Sequence, residues 1–165
     1  VFSVKGPRFI THMKRLRDCE QALANFFASG LLSLGPKLGP ILWQLPPTLR
    51  FDTKLLDAFL SSLPRDSEAA LMLARKRDTA LMHGRSALAI ERKRPLWHAL
   101  EIRHDSFCDP ACMRLLRRHK VAVVVADTAG KFPYVEDVSA DFVYLRLHGD
   151  AQLYASGYSD RALDR

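Results

Sequence analysis

Period-two alternation along five short apolar runs sets polar residues against one face of each run, near its C-terminal end. In Ala99-Leu100-Glu101-Ile102-Arg103, Leu100 and Ile102 share one face and Glu101 and Arg103 the other. In Phe142–Leu147 and the residue after it, Val143, Leu145 and Leu147 oppose Tyr144, Arg146 and His148. Ser3 and Lys5 oppose Phe2 and Val4, and Leu42 and Gln44 oppose Ile41, Trp43 and Leu45. A further run, Val121–Ala126, ends in Asp127-Thr128. Lys5, Arg103 and Arg146 suit a phosphate or carboxylate, arginine through its planar two-pronged guanidinium. Glu101 and Asp127 suit proton exchange, with neighbours and burial setting their pKa values apart. His148 ordinarily titrates closest to neutrality and is the expected general acid/base. His12 and His104, just beyond strand ends, supplement it. Charges turned into a barrel interior are costly unless paired or ligand-bound. The set therefore reads as a binding site for a small anionic substrate, or as a salt-bridge network in a non-catalytic structural domain.

Other chemistries fit less of the sequence. Glu101, His104, Asp127 and His148 offer the mixed nitrogen and oxygen ligands that zinc or manganese accepts, which would suit metal-dependent phosphodiester cleavage. No His-Glu-x-x-His or Cys-x-x-Cys motif accompanies them, so no motif requires a cofactor. His104-x-x-x-Cys108-x-x-x-Cys112 has no zinc-ribbon spacing and is interrupted by Pro110, so its cysteines read as free thiols at a helix start. Arg75-Lys76-Arg77, Arg92-Lys93-Arg94 and the set Arg114, Arg117, Arg118 and Lys120 are basic clusters that would serve phosphate contacts in a nucleic-acid-binding module. The last set lies at helical spacing, as on a solvated helix face, and aromatic residues for base stacking are missing from all three. Nucleophile-elbow, Walker and dinucleotide-binding patterns are absent.

The elements that must position these residues alternate in type. Val1–Lys5 reads as a strand ended by Gly6-Pro7, and a helix is predicted from about Leu16 to Leu32. Gly35–Pro40 reads as a loop, Ile41–Leu45 as a strand, and Thr53–Leu63 and Ser67–Arg77 as helices. Residues 78–95 have no clear period. Asp109 is a predicted N-cap with Pro110 at the first helical position, opening a helix to about His119. Val121–Ala126 has the β-branched and small residues of a strand buried on both faces. Residues 128–141 leave room for no more than a turn of helix, and Ser159 caps a helix start. This alternation predicts a parallel sheet.

Composition agrees with a single globular domain: 165 residues, 48% hydrophobic and 26% charged. No run approaches the roughly 18 apolar residues of a membrane span. The net charge of +7 suits an anionic partner. Three cysteines without a recognisable leader predict free thiols in a reducing, cytoplasmic setting. The oligomeric state is not legible.

A series of motifs then falls into one pattern. These are Lys5-Gly6-Pro7-Arg8-Phe9-Ile10-Thr11-His12, Leu38-Gly39-Pro40-Ile41-Leu42-Trp43-Gln44-Leu45-Pro46-Pro47 and Glu101-Ile102-Arg103-His104-Asp105-Ser106-Phe107, followed by Ala126-Asp127-Thr128, Tyr144-Leu145-Arg146-Leu147-His148-Gly149 and Tyr154-Ala155-Ser156-Gly157-Tyr158-Ser159. Over nearly its whole length the chain resembles the YecE-like family, domain of unknown function number seventy-two. The resemblance implies a TIM-barrel-like α/β fold of roughly 250 residues. Family members have earlier strands before this segment and a last strand with an acidic motif after it. The chain is thus expected to supply about five of eight parallel strands, as an interior segment of a longer barrel. Arg8, His12, Gln44, His104, Tyr144 and Tyr158 join the expected substrate-binding set, and Tyr154, Gly157 and Tyr158 form an expected lid. The family carries no settled activity.

Overall fold

The computed structural model describes residues 1–149, 155 and 157–164. Five parallel strands run in chain order: β1 Phe2–Lys5, β2 Leu38–Gln44, β3 His98–Glu101, β4 Ala122–Asp127 and β5 Tyr144–Leu147. The helices are α1 Glu20–Ala28, α2 Thr53–Ser62, α3 Ser67–Arg75, α4 Thr79–Met82, α5 Pro110–Arg118 and α6 Asp160–Leu163. Parallel neighbours in chain order, with helices in the first three of the four connections, are the α/β arrangement of a partial (β/α) barrel. The chain divides into two compact units, Val1–Gln44 with Asp52–His98, and Leu45–Phe51 with Ala99–Arg165.

In the first unit, β1 and β2 pair in parallel, Val4 beside Ile41 and Lys5 beside Leu42. Strand β2 begins at Leu38, three residues before the expected start, because Gly39 lets it lie against β1. A Cβ there would stand 3.2 Å from the Phe2 carbonyl oxygen. The Pro40 carbonyl accepts from the Ser3 hydroxyl at 2.9 Å. Helix α1 starts later than Leu16, since Arg15, Leu16 and Asp18 all take left-handed φ and turn the chain until Cys19. Gly30, at φ 97°, ends the helical path, and Leu31–Lys37 forms 3₁₀ turns kinked at Gly35 (φ 51°, ψ −121°), so that the end of the expected helix and the start of the loop expected over Gly35–Pro40 are both 3₁₀. The expected apolar face of α1 holds, with Leu23 and Phe27 fully buried. Asp52 and Asp66 cap α2 and α3 by accepting from Leu55 N at 2.9 Å and Ala69 N at 2.8 Å. In 78–95, where the sequence has no period, the regular structure is α4 and two isolated bridges, Ser29 to Ala87 and Asp66 to Pro95.

This unit's core centres on Trp43, fully buried and edge-on to Phe26 at 5.7 Å and Phe59 at 5.4 Å. Gly6 is required beneath it, because a Cβ would fall 2.4 Å from the indole ring. The Trp43 Nε1–H donates to His98 Nδ1 at 3.1 Å. His98 Nδ1 is therefore unprotonated, and its Nε2–H donates to the Pro64 carbonyl at 2.8 Å. Burial drives the His98 pKa down to about 4, helped by Arg65 and opposed by the Pro64 carbonyl. The imidazole is neutral and has its two ring nitrogens engaged.

In the second unit, β3 and β4 register Leu100 beside Val123, and β4 and β5 register Val124 beside Tyr144 and Ala126 beside Arg146. Helix α5 opens as expected, with Asp109 accepting from Ala111 N at 2.7 Å and Pro110 at the first position. Cys112, Met113, Leu115 and Leu116 are buried, while Arg114, Arg117 and Arg118 are exposed, the solvated face its spacing predicts. The Ser139 hydroxyl accepts from Val123 N at 2.7 Å and donates to the Val121 carbonyl at 2.8 Å. This loop side chain thereby satisfies backbone groups along β4. On β5 the apolar face expected to be covered is open: Val143, Leu145 and Leu147 are each more than half exposed.

Candidate functional site

The second unit buries one carboxylate completely. Glu101, the last residue of β3, has a side chain 1% exposed, and two arginines divide its oxygens. Arg103 approaches Oε1 with Nε at 2.7 Å and Nη2 at 2.6 Å. Arg146 donates from Nη1 to Oε2. The register explains the meeting. Leu100 pairs with Val123, so Glu101 comes level with Val124 and Tyr144, and Arg146 lies two residues further along that face. The Glu101 backbone carbonyl accepts from Leu45 N at 2.9 Å, which holds the strand end in place. A buried ion that loses hydration is tolerated only with full hydrogen bonding, and here each carboxylate oxygen has its own guanidinium. One negative and two positive charges leave the cluster cationic. Arg103 is 9% exposed, whereas Arg146 keeps 26% of its side chain open to solvent.

Two further groups shape this face. The Arg103 guanidinium lies over the Phe132 ring, 4.3 Å from its centre, a cation–π contact. Phe132 is delivered by the turn after β4. Ala129 and Gly130 both take left-handed φ, at 50° and 74°, and Lys131 N donates to the Thr128 carbonyl at 3.1 Å. Phe132 N donates to the buried Thr128 hydroxyl at 3.1 Å. His148, buried just past the end of β5, shares the strand face of Arg146, and its backbone N–H donates to the Asp127 carbonyl at 2.9 Å. Its pKa lies below the usual histidine value. Burial is the main cause, followed by the Arg146 charge, with Arg103 adding to it and Glu101 and Asp127 opposing.

The residues expected from sequence are thus sorted into separate groups. Glu101, Arg103, Arg146 and His148 come together, and Tyr144 lies on their face. Asp127 does not join them. It registers with Leu147, on the opposite face, and its Oδ1 accepts from Ala129 N at 3.2 Å. His104 uses Nδ1 to accept from Ser106 N at 3.1 Å, capping the 3₁₀ turn Asp105–Phe107. The Tyr158 hydroxyl accepts from Gly149 N at 3.1 Å, and Tyr154 lies outside the described residues. Lys5, Arg8, His12 and Gln44 belong to the first unit. There Lys5 Nζ donates to Gln44 Oε1 at 2.9 Å, and His12 Nδ1 is 2.8 Å from the Thr11 hydroxyl. Sequence reasoning missed Phe132, which sits in an aperiodic loop, and His98, whose partner Trp43 is 55 positions away.

Among the described residues no three histidine, cysteine, aspartate or glutamate side chains group as metal ligands would. All three cysteines are free thiols, and burial pushes Cys19 up to about 11 and Cys112 up to about 12, which keeps them protonated. Each basic cluster has at least one cation paired with an acid. Lys76 meets Glu20 at 3.1 Å, and Lys93 meets Asp66 at 3.2 Å and Glu68 at 3.1 Å. Arg117 meets Asp137 at 2.6 Å. No helix among the described residues is long and apolar enough to cross a membrane.

Comparison with known proteins agrees with the fold. A structure of a DUF72 family protein from Thermotoga maritima MSB8 is 23% identical with a TM-score of 0.61, over 99% of this chain and 58% of that one. The chain therefore spans a little over half the length of that structure. A DUF72 family protein from Enterococcus faecalis V583 is 13% identical with a TM-score of 0.32, over 86% of this chain and 58% of that one. No curated protein matches. The model of the family described as "Protein of unknown function DUF72" matches residues 1–165, from one end of the chain to the other, and the chain belongs to that family.

Proposed function

We propose that this chain carries the anion-binding part of an enzyme site, which takes a small phosphate- or carboxylate-bearing substrate at the C-terminal ends of β3 and β5. The observation that carries the reading is the grip of a fully buried carboxylate on two guanidinia, one of which reaches solvent. Glu101 fixes the Arg146 side chain from below and consumes one of the two positive charges. A net positive charge held at a strand end, on a rigid element, is what a preorganised anion site needs. His148 stands on the same face, is neutral at neutral pH, and is placed to receive or return a proton.

A thermal-shift screen of sugar phosphates, inorganic phosphate and small carboxylates, run on the wild type and on Arg146→Gln, tests the proposal. The expected result is a saturable stabilisation by one ligand class that R146Q loses. Stabilisation kept in R146Q would move the anion elsewhere on the molecule. A screen that stabilises neither protein would leave the triad as architecture.

A further inference from the structure

We infer that an anion settling against Arg146 draws a proton from solvent onto His148, so that the site takes up a small anion and a proton together. The inference rests on the anion-site reading above and adds its regulation by pH. Its basis is the arrangement of groups around one imidazole. Arg146 precedes His148 by two residues on the same strand face, about 7 Å along the chain. From β3 and the residues after it come Glu101 and Arg103, whose guanidinium is fastened between Glu101 and Phe132. From the end of β4 comes Asp127, tied through its carbonyl to the His148 N–H. Tyr144 lies further back on β5, and Tyr158 bonds the next residue, Gly149.

In this setting burial and the two guanidinia disfavour the imidazolium, and the two carboxylates favour it. The balance leaves the ring neutral. An arriving anion cancels much of the Arg146 charge, which bears on His148 most strongly after burial, and it introduces a negative charge beside the ring. Both changes favour protonation. Linkage is reciprocal, so a protonated His148 must bind the anion more tightly. No bond is made or broken in this step; one proton passes from the buffer to an imidazole nitrogen.

Sulfate is the probe, because its own charge does not change between about pH 5 and 8, where histidine titrates. Titration calorimetry on the whole chain, in buffers of different ionisation enthalpy, counts the protons taken up. Sulfate affinity is expected to rise as pH falls, roughly tenfold if the anion moves His148 by about one pKa unit. With a shift of that size, uptake is expected to peak at about half a proton, between the pKa values of free and sulfate-bound protein. In His148→Gln, whatever affinity remains should be flat with pH and accompanied by no uptake. If H148Q does not fold, the His148 ring proton followed by NMR in the wild type gives the same answer, titrating at higher pH with sulfate than without. Sulfate binding that is independent of pH with no proton uptake would overturn this inference and leave the anion site standing. So would uptake that persists in H148Q. Failure of sulfate to bind at any pH, or equal binding by R146Q, would overturn the anion-site reading itself.

Discussion

At the scale of single residues, Glu101 and His98 illustrate two ways of burying a titratable group. Glu101 is held between two guanidinia, so replacing it leaves Arg103 nine-tenths buried without its carboxylate. Breaking a buried pair from one side costs about 3–5 kcal/mol, and Glu101→Gln should lose stability of that order in chemical denaturation. A loss below about 1 kcal/mol would make the triad no stronger than an exposed ion pair. His98 stays neutral between Trp43 and Pro64. Its folded pKa of about 4 lies below the unfolded value near 6.5, so the unfolded chain binds the proton first as pH falls. Its contribution is full above about pH 6.5 and is lost on acidification toward pH 4, amounting to about 3 kcal/mol. The Trp43 fluorescence of urea melts over this range should show that loss, and His98→Gln should flatten it. An equal slope in H98Q would assign the acid sensitivity to other groups.

At the scale of elements, what was legible from sequence depended on local signals. Asp109-Pro110 opened α5 where expected because a cap and a first-turn proline act within a few residues. Apolar periodicity extends through Leu16 and predicts an earlier start for α1 than three left-handed residues allow, a backbone choice apolar spacing does not encode. Alternation found Glu101, Arg103 and Arg146, since facing is a local property of a strand. It gives Asp127 no face, because register between strands decides which face a C-terminal residue shares. The Ser139 bridge and the Ala129-Gly130 turn lay beyond reach for the same reason: both are set by contacts between an irregular loop and β4. Ser139→Ala would leave the buried Val123 N–H unsatisfied and should cost about 1–3 kcal/mol. Ala129→Gly relieves a left-handed alanine and should raise stability by up to about 1 kcal/mol. Denaturation midpoints of the two variants should move in opposite directions, and a neutral S139A would mean that the loop lets water replace the hydroxyl.

At the scale of the molecule, two features outlast the details of any element. Each unit has its own buried polar centre, Trp43 with His98 in one and Glu101 with two arginines in the other. The second unit also presents Val143, Leu145 and Leu147 along a strand that, among the described residues, pairs with β4 alone. An apolar strand face of this kind at a sheet edge promotes association. The 165-residue chain should therefore sediment with a concentration-dependent mass, and Leu145→Lys with Leu147→Glu should reduce it. A monodisperse monomer at high concentration would contradict this. Where an anion settles on the molecule decides whether Arg146 receives it. Selenate, which resembles sulfate and scatters anomalously, can be soaked into crystals of the chain. An anomalous peak is expected within hydrogen-bonding distance of the Arg146 guanidinium, away from any neighbouring molecule. Peaks confined to outer arginines such as Arg114, with none at Arg146, would contradict it.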